Sequence, residues 1–327
     1  MIIGKKILLL GGAGFIGTAL TKQLCKNNEV IVADICDFSH SSLNLAGLVN
    51  NPNVKTLRLN VTDEKEVFSL SDDYDYIIHA VAILGIHKVV EQSILTIDTN
   101  YTSCKNALEL CRKQKKLKNF MSFSTSEVYG KNITLASEEK DMSIGFAKEA
   151  RWCYAASKVL CEHLISGYHR EHNVPAVIIR PFNVFGEYRL GSNAMSTFIF
   201  KSIINTPITI DGDGSQIRTW CHIEDFVKGL LLALEKSNKC EVFNIGNPSN
   251  SITILELAEL VKKITASDSE ISVSNKFIPD VATRTLVVDK AEKLLGYSPN
   301  IDLREGITKV YNWAKTIDKK QIRKWYM

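Results

Sequence analysis

A chain of 327 residues, 45% apolar and 23% charged with a net charge of +4, can bury a sizeable core and has the composition of an ordinary globular protein. These values exclude intrinsic disorder, and no apolar run approaches the roughly 20 residues that a bilayer span requires. The densest basic runs, KQKKLK (113–118) and KKQIRKW (319–325), fall at an expected helix end and at the C-terminal end with few aromatics, which argues against nucleic-acid binding.

The N-terminal segment MIIGKKILLLGG carries an apolar run too short for a secretory signal and no small-residue cleavage site before its glycines. Its KILLL (6–10) instead reads as a buried strand. Similar runs recur at EVIVAD (29–34), VKTLRLN (54–60), YDYIIHAVA (74–82), KNFMSFS (118–124) and PAVIIRP (175–181), each bounded by Gly, Asn, Pro or Asp. Stretches with helical periodicity lie between most of them, among them TALTKQLCKN (18–27) and YTSCKNALELCRKQ (101–114). Buried strands alternating with helices imply a parallel sheet covered on both faces, a doubly wound α/β domain over residues 1–185. After Pro181 the pattern loosens into GEYRLGSN (186–193) and DGDGS (211–215), followed by a strand at EVFNIG (241–246) that is expected to rejoin the main sheet. A helix is expected over 252–266 with Thr253 as its cap, and residues 186–327 form mainly a smaller α/β lobe.

Gly11, Gly14 and Gly17 follow the first strand directly and open a helix. Glycine permits the tight turn, lets backbone approach a pyrophosphate and allows close helix packing, while the helix N-terminus favours the anion. Asp34 closes the next strand about 20 residues on, where a carboxylate binds ribose hydroxyls and repels a 2′-phosphate. These residues are expected to form a Rossmann-like dinucleotide site for NAD rather than NADP, with FAD as the lesser alternative, and Phe15 and Ile16 of the loop are among the cofactor-binding candidates.

SFSTSEVYG (122–130) ends an apolar run with a dense set of hydroxyls and one carboxylate, which suits either a polar turn or an active site. Tyr154 and Lys158, in RWCYAASKVLCEHL, are spaced i, i+4 on one helix face. A cation beside a phenol stabilises the phenolate and lowers its pKa, so this pair is a candidate proton acceptor. The eight cysteines show no CxxC and no zinc-like spacing. They read as reduced thiols of a cytoplasmic protein, and no metal site is expected.

GGAGFIG, Asp34, STSEVYG and the YxxxK pair together resemble the extended short-chain dehydrogenase/reductase family, the nucleotide-sugar epimerases, dehydratases and decarboxylases. The resemblance runs from about residue 5 to about 312. HAVA (79–82) is similar to the family's HxAA strand end beside the cofactor, which brings in Ala80 and Ala82, and Asn60 with Val61 matches the strand end that touches adenine. Asn100 matches a helix-opening Asn, and RPFNVFG (180–186), DGDGSQIRTWCHIEDFVKGL (211–230) and PDVATRTLVVDKAEKLLGYSP (279–299) match later family segments. The resemblance implies roles. Tyr154 takes the proton of the sugar 4-hydroxyl as hydride leaves C4 for NAD, and Lys158 lowers the Tyr154 pKa and holds the nicotinamide ribose. Thr125 aligns the same hydroxyl, and Asn183, Arg218 and Arg284 contact the nucleotide diphosphate. It also implies a homodimer through 100–114 and 154–171, where Ala107, Leu110 and Cys111 form an apolar stripe that suits core packing equally well and Val159, Leu160 and His163 serve the second helix.

The step after C4 oxidation depends on the neighbouring groups. A 4-epimerase needs no extra carboxylate, whereas a 4,6-dehydratase needs a base, which Glu127 would supply. Dehydratases acting on deoxythymidine-linked glucose typically carry Asp where Ser126 stands, and those acting on guanosine-linked mannose are closer to TSE. Decarboxylases acting on UDP-glucuronate also carry TSEVYG, with an arginine that Arg284 matches, and EARWCYAASK resembles the PRWxYxxSK of one decarboxylase group. The resemblance therefore leans to decarboxylation of UDP-glucuronate, with epimerisation or 4,6-dehydration of a UDP-, GDP- or dTDP-hexose as alternatives. A catalytically inactive NAD-binding regulator is the alternative from another class, and the intact Thr125, Tyr154 and Lys158 set argues against it.

Overall fold

The run Lys6–Leu10 forms β1, with Ile7 and Leu9 packed into the core on one face and Leu8 and Leu10 on the other. A strand buried on both sides needs strands at both edges and helices over both faces. In the computed structural model, which describes residues 1–131, 133–191, 193–274 and 281–326, β1 lies near the middle of such a sheet. Its companions are β2 (Glu29–Asp34), β3 (Val54–Arg58), β4 (Tyr76–His79), β5 (Asn119–Phe123), β7 (Ala176–Pro181) and β12 (Lys239–Ile245). Among the described residues they form one seven-stranded sheet in the order β12-β7-β5-β4-β1-β2-β3, parallel at every pairing. The fold is a doubly wound, Rossmann-like α/β sheet.

A second, four-stranded sheet joins distant parts of the chain: β6 (Ile133–Ala136), β10 (Ile217–Thr219), β13 (Ser251–Thr253) and β15 (Thr283–Leu286), in the order β13-β10-β15-β6. Two short parallel pairs complete the strands, β8 (Val184–Phe185) with β11 (Cys221–His222) and β9 (Ile208–Asp211) with β14 (Ile271–Ser274). A separate apolar cluster, including Phe198, Phe200, Trp220, Leu257 and Ile307, fills this second region.

The helix expected from Thr253 spans Ile254–Thr265, and Thr253 with Glu256 makes a reciprocal capping box. The helix expected over 101–114 is longer, Ser93–Lys113. Its first turns, SILTIDTN, are rich in β-branched residues and have no side-chain cap at Gln92, so neither propensity nor a capping signal announces them. Ala107, Leu110 and Cys111 on this helix are core residues, buried against β4 and β5, and take no part in an outer face. Leu160 and His163, on the helix Trp152–His172, are exposed, and Val159 is half-buried. No helix among the described residues is long and apolar enough to cross a membrane.

Candidate active site

The turn after β1 works as the sequence requires. Gly11 has φ of +75°, and a Cβ there would stand 2.8 Å from the Val81 nitrogen, so only glycine fits between β1 and the end of β4. A Cβ at Gly17 would run into the Gly12 backbone, which fixes how closely the helix Phe15–Leu24 approaches the loop. Gly14 is different, since a Cβ there would meet nothing nearer than the Gly11 oxygen at 4.0 Å. Its open side faces a cleft of about 660 Å³, and filling that side would obstruct a group lying across the helix N-terminus.

The cleft runs from Asp34 past Gly11, Gly14, Phe15, Ile16 and Gly17 to Tyr154 and Lys158, with Asn60, Val61, Ala80 and Ala82 along its walls. Asp34 holds the loop in shape by accepting from the Ala13 amide at 3.1 Å and the Cys36 amide at 3.2 Å. Asn60 turns its carboxamide oxygen onto the Thr62 amide and hydroxyl, at 3.1 and 2.8 Å. Asn100 departs from expectation twice. It lies inside a helix that already began at Ser93, and it is fully buried, so it cannot touch a ligand in the cleft directly. Its side chain accepts from the Ile83 amide at 3.2 Å and donates to the Ser157 hydroxyl at 2.9 Å, tying the cleft wall to the helix that carries Tyr154.

Thr125 caps the short 3-10 turn Ser126–Tyr129, its hydroxyl accepting from the Glu127 amide at 3.2 Å and hydrogen-bonding the Tyr154 phenol. Lys158 is 2% exposed. Its burial lowers its pKa, and the neighbouring Cys161, Cys104 and Glu162 oppose the shift. The expected lowering of the Tyr154 phenol by Lys158 is not what the structure shows. Burial pushes that phenol well above its ordinary value, the Glu127 carboxylate adds to the rise, and the hydrogen bond with Thr125 opposes both.

Glu127 Oε1 faces Nη1 of Arg284 at 3.6 Å and Nη2 of Arg151 at 3.9 Å. Arg284 on β15 and Arg218 on β10 are direct neighbours in register, and both side chains are buried. Asn183, with φ of 29°, donates its amide to the Thr219 carbonyl at 3.0 Å and so braces the start of this strand region. Ser126 is buried in the turn beside Glu127. Pro279 and Asp280 of the expected PDVATRT segment lie outside the described residues.

Other groups escaped the sequence reading. Arg189 lines the cleft with its guanidinium 5.2 Å from the Phe15 ring centre, and burial lowers its pKa. Ser124, also on the cleft, donates to Glu162, which forms a two-pronged ion pair with Arg180 at 2.9 and 2.7 Å. Arg180 in turn donates to the Tyr129 hydroxyl, and Tyr129 to Asn244, each at 2.8 Å. These contacts join residues far apart in the chain, so no local spacing reports them.

The model of the NAD-dependent epimerase/dehydratase family matches residues 7–246. The chain belongs to this family. As a member it is an NAD-dependent enzyme, and the cradle at Gly14 beside the ribose-binding position of Asp34 fits that cofactor. Among family relatives, it is 29% identical over 323 residues to a UDP-N-acetyl-alpha-D-glucosaminuronate decarboxylase of Bacillus cytotoxicus, covering 96% of this chain and 99% of the relative. It is 33% identical over 307 residues to UDP-glucuronic acid decarboxylase 6 of Arabidopsis thaliana, covering 92% and 86%. The fold is similar to the UDP-glucuronic acid 4-epimerase of Bacillus cereus in complex with UDP-glucuronic acid and NAD, with a TM-score of 0.84, 28% identity, and 95% and 99% of the two chains covered.

Proposed function

We propose that this family member oxidises a nucleotide-linked hexuronate at C4 and decarboxylates it, with UDP-glucuronate as the first substrate to test. The observation that carries this reading is Glu127 set against Arg284 and Arg151 beside the Thr125 and Tyr154 hydroxyls. Bound NAD supplies the two-electron acceptor for C4. Thr125 and Tyr154 hold the 4-hydroxyl, Tyr154 accepts its proton, and Lys158 places a cation beside the nicotinamide ribose. A ketone at C4 makes the C6 carboxylate that of a β-keto acid. Its C5–C6 bond then breaks with the electron pair moving toward the C4 oxygen, where the Tyr154 and Thr125 hydroxyls stabilise the developing charge. We assign Arg284, 3.6 Å from Glu127, to the C6 carboxylate.

Residues 1–185 serve the cofactor and 186–327 mainly the nucleotide sugar, with Asn183 and Arg218 assigned to the diphosphate and Arg284 to the C6 carboxylate. Asp34, Asn60 and the glycine loop serve the adenosine half. We place the protein in the cytoplasm, which suits its eight unpaired thiols, and propose a homodimer through the outer faces of Ser93–Lys113 and Trp152–His172. The second reading, 4-epimerisation of the same uronate, is supported by the likeness to the Bacillus cereus enzyme.

Weighing the products made from UDP-glucuronate, UDP-N-acetylglucosaminuronate, UDP-glucose and GDP-mannose separates the readings. Loss of carbon dioxide from a uronate is expected, and unchanged mass with an altered sugar would replace decarboxylation by epimerisation. Tyr154→Phe should retain NAD and lose C4 oxidation by about 10²-fold or more. Near-normal turnover in that variant would remove Tyr154 from the chemistry.

A further inference from the structure

The helices Ser93–Lys113 and Trp152–His172 follow neighbouring parallel strands, β4 and β5, so they run in the same direction and pack side by side. Their contact is laid out in rungs one turn apart. Asn100 donates to the Ser157 hydroxyl at 2.9 Å in one rung, and four residues further along each helix stand Cys104 and Cys161. The Cys161 thiol donates to the Asn100 carbonyl oxygen at 3.4 Å, and the Cys104 thiol donates to the Cys161 sulfur. Another four residues on, Leu108 and Ile165 are buried in the same apolar cluster as the two cysteines.

Two thiols in contact across a helix pair meet the first requirement of a disulfide, side chains that already point at one another. Other cysteines keep different company: Cys221 lies 3.8 Å from the Tyr297 hydroxyl, and Cys240 3.7 Å from the Ser166 hydroxyl. Access divides the pair. Cys161 is 4% exposed and Cys104 0%. The bond from Cys104 lowers the Cys161 pKa, burial opposes the shift, and the Lys158 charge adds to the lowering. Cys161 is therefore the attacking thiol and Cys104 the resolving one.

The pair sits directly behind the cofactor cleft. Thr99, beside Asn100, lines that cleft together with Lys158, which precedes Cys161 by one turn. Joining the two sulfurs removes the thiol hydrogen that Asn100 accepts and pulls on the helix face that carries Tyr154 and Lys158.

We propose that Cys104 and Cys161 are a modification site for a small peroxide, which joins them in a reversible disulfide and loosens the cofactor cleft. The Cys161 thiolate attacks one peroxide oxygen, the O–O bond breaks, and hydroxide leaves to give a sulfenic acid. The Cys104 sulfur then attacks the Cys161 sulfur. The S–S bond forms as the S–O bond breaks, and the departing hydroxide takes the Cys104 proton. Two thiols and one hydrogen peroxide thus become one disulfide and two waters. No step involves the sugar nucleotide, so the site stands independently of the uronate reading.

The test treats NAD-loaded wild type and Cys104→Ala with hydrogen peroxide, reads the intact mass, then blocks the remaining thiols with N-ethylmaleimide and maps the peptides. Wild type should lose about 2 Da, with Cys104 and Cys161 in one linked peptide that dithiothreitol separates. Cys104→Ala should instead gain oxygen at Cys161, because nothing resolves its sulfenic acid. Oxidised wild type should release NAD on gel filtration about 3- to 10-fold faster than the reduced protein, the worth of one displaced hydrogen bond, and dithiothreitol should restore retention. If Cys104 and Cys161 of peroxide-treated wild type both still react with N-ethylmaleimide once unfolded, the proposal is overturned, as it is by a disulfide between other cysteines. A disulfide between Cys104 and Cys161 that leaves NAD retention unchanged overturns the link to the cleft. The wild-type peptide map decides the linkage even where Cys104→Ala fails to fold.

Discussion

Tyr154 must lose its proton to act as a base, yet Glu127 adds to the burial that keeps the proton on. Replacing Glu127 by Gln removes that charge, so the Tyr154 pKa should fall and the rising alkaline limb of C4 oxidation should move to lower pH. Release of carbon dioxide should drop by about 10²-fold or more in the same variant, if Glu127 serves the later step. The check is the pH profile of bound-NAD reduction beside product yield, and an unmoved limb would mean that Tyr154 does not feel Glu127. At this scale the sequence was informative where chemistry is local. Thr125 lies two residues from Glu127, and Tyr154 four from Lys158, so their shared turn or helix face is set by spacing. Arg189 sits in an aperiodic loop, and the meeting of Arg151, Glu127 and Arg284 depends on how β15 reaches the turn after β5. No pattern within either segment encodes those approaches.

The inner strands β1, β2, β4, β5 and β7 were legible because a parallel strand buried on both faces is a mostly apolar run, whereas the edge strand β3 is largely exposed. β6 and β15 were not legible, since Ile133–Ala136 and Thr283–Leu286 are short and partly exposed, and each finds its partner across about half the chain. Elements are also tied by polar groups that the apolar pattern ignores. His79 at the end of β4 is buried with its ring nitrogens 3.1 Å from the Ser122 hydroxyl on β5 and 3.0 Å from the Ser103 hydroxyl on the helix Ser93–Lys113. Burial, with the Lys158 charge adding to it, lowers its pKa from 6.5 to about 3. The unfolded chain therefore binds this proton as pH falls below 6.5 while the folded one does not, and the contribution is lost progressively down to about pH 3. Over that window His79 should lower the unfolding free energy by about 1.4 kcal/mol per pH unit. Urea unfolding of wild type and His79→Gln across a pH series isolates the effect. The variant should be less stable at neutral pH and show the shallower acid slope, and parallel slopes would refute the assignment.

For the whole molecule, the exposed apolar residues are unevenly distributed. Ile94 is 86% exposed and Ile97 42% on one helix, and Leu160 is 46% exposed on the helix packed beside it. Ile94 and Ile97, three apart on the first helix, make one exposed ridge, which water alone covers at a cost of about 25 cal/mol per Å² of apolar surface. A second copy offering the same ridge about a two-fold axis would cover it symmetrically. Sedimentation should therefore show a dimer, and Ile94→Asp with Leu160→Asp should shift it to monomer while leaving the fold intact, because both positions are exposed and outside the core. A wild type that sediments as a monomer at micromolar concentrations would end the proposal. The consequence reaches the active site, since Leu95 and Thr99 on the ridge-bearing helix line the NAD cleft. Ordering that helix in the dimer should slow cofactor loss, so the monomeric variant is expected to release NAD faster during gel filtration. Equal retention by the two forms would show that the cleft wall is held from within one subunit, through Asn100 and its bonds to Ile83 and Ser157.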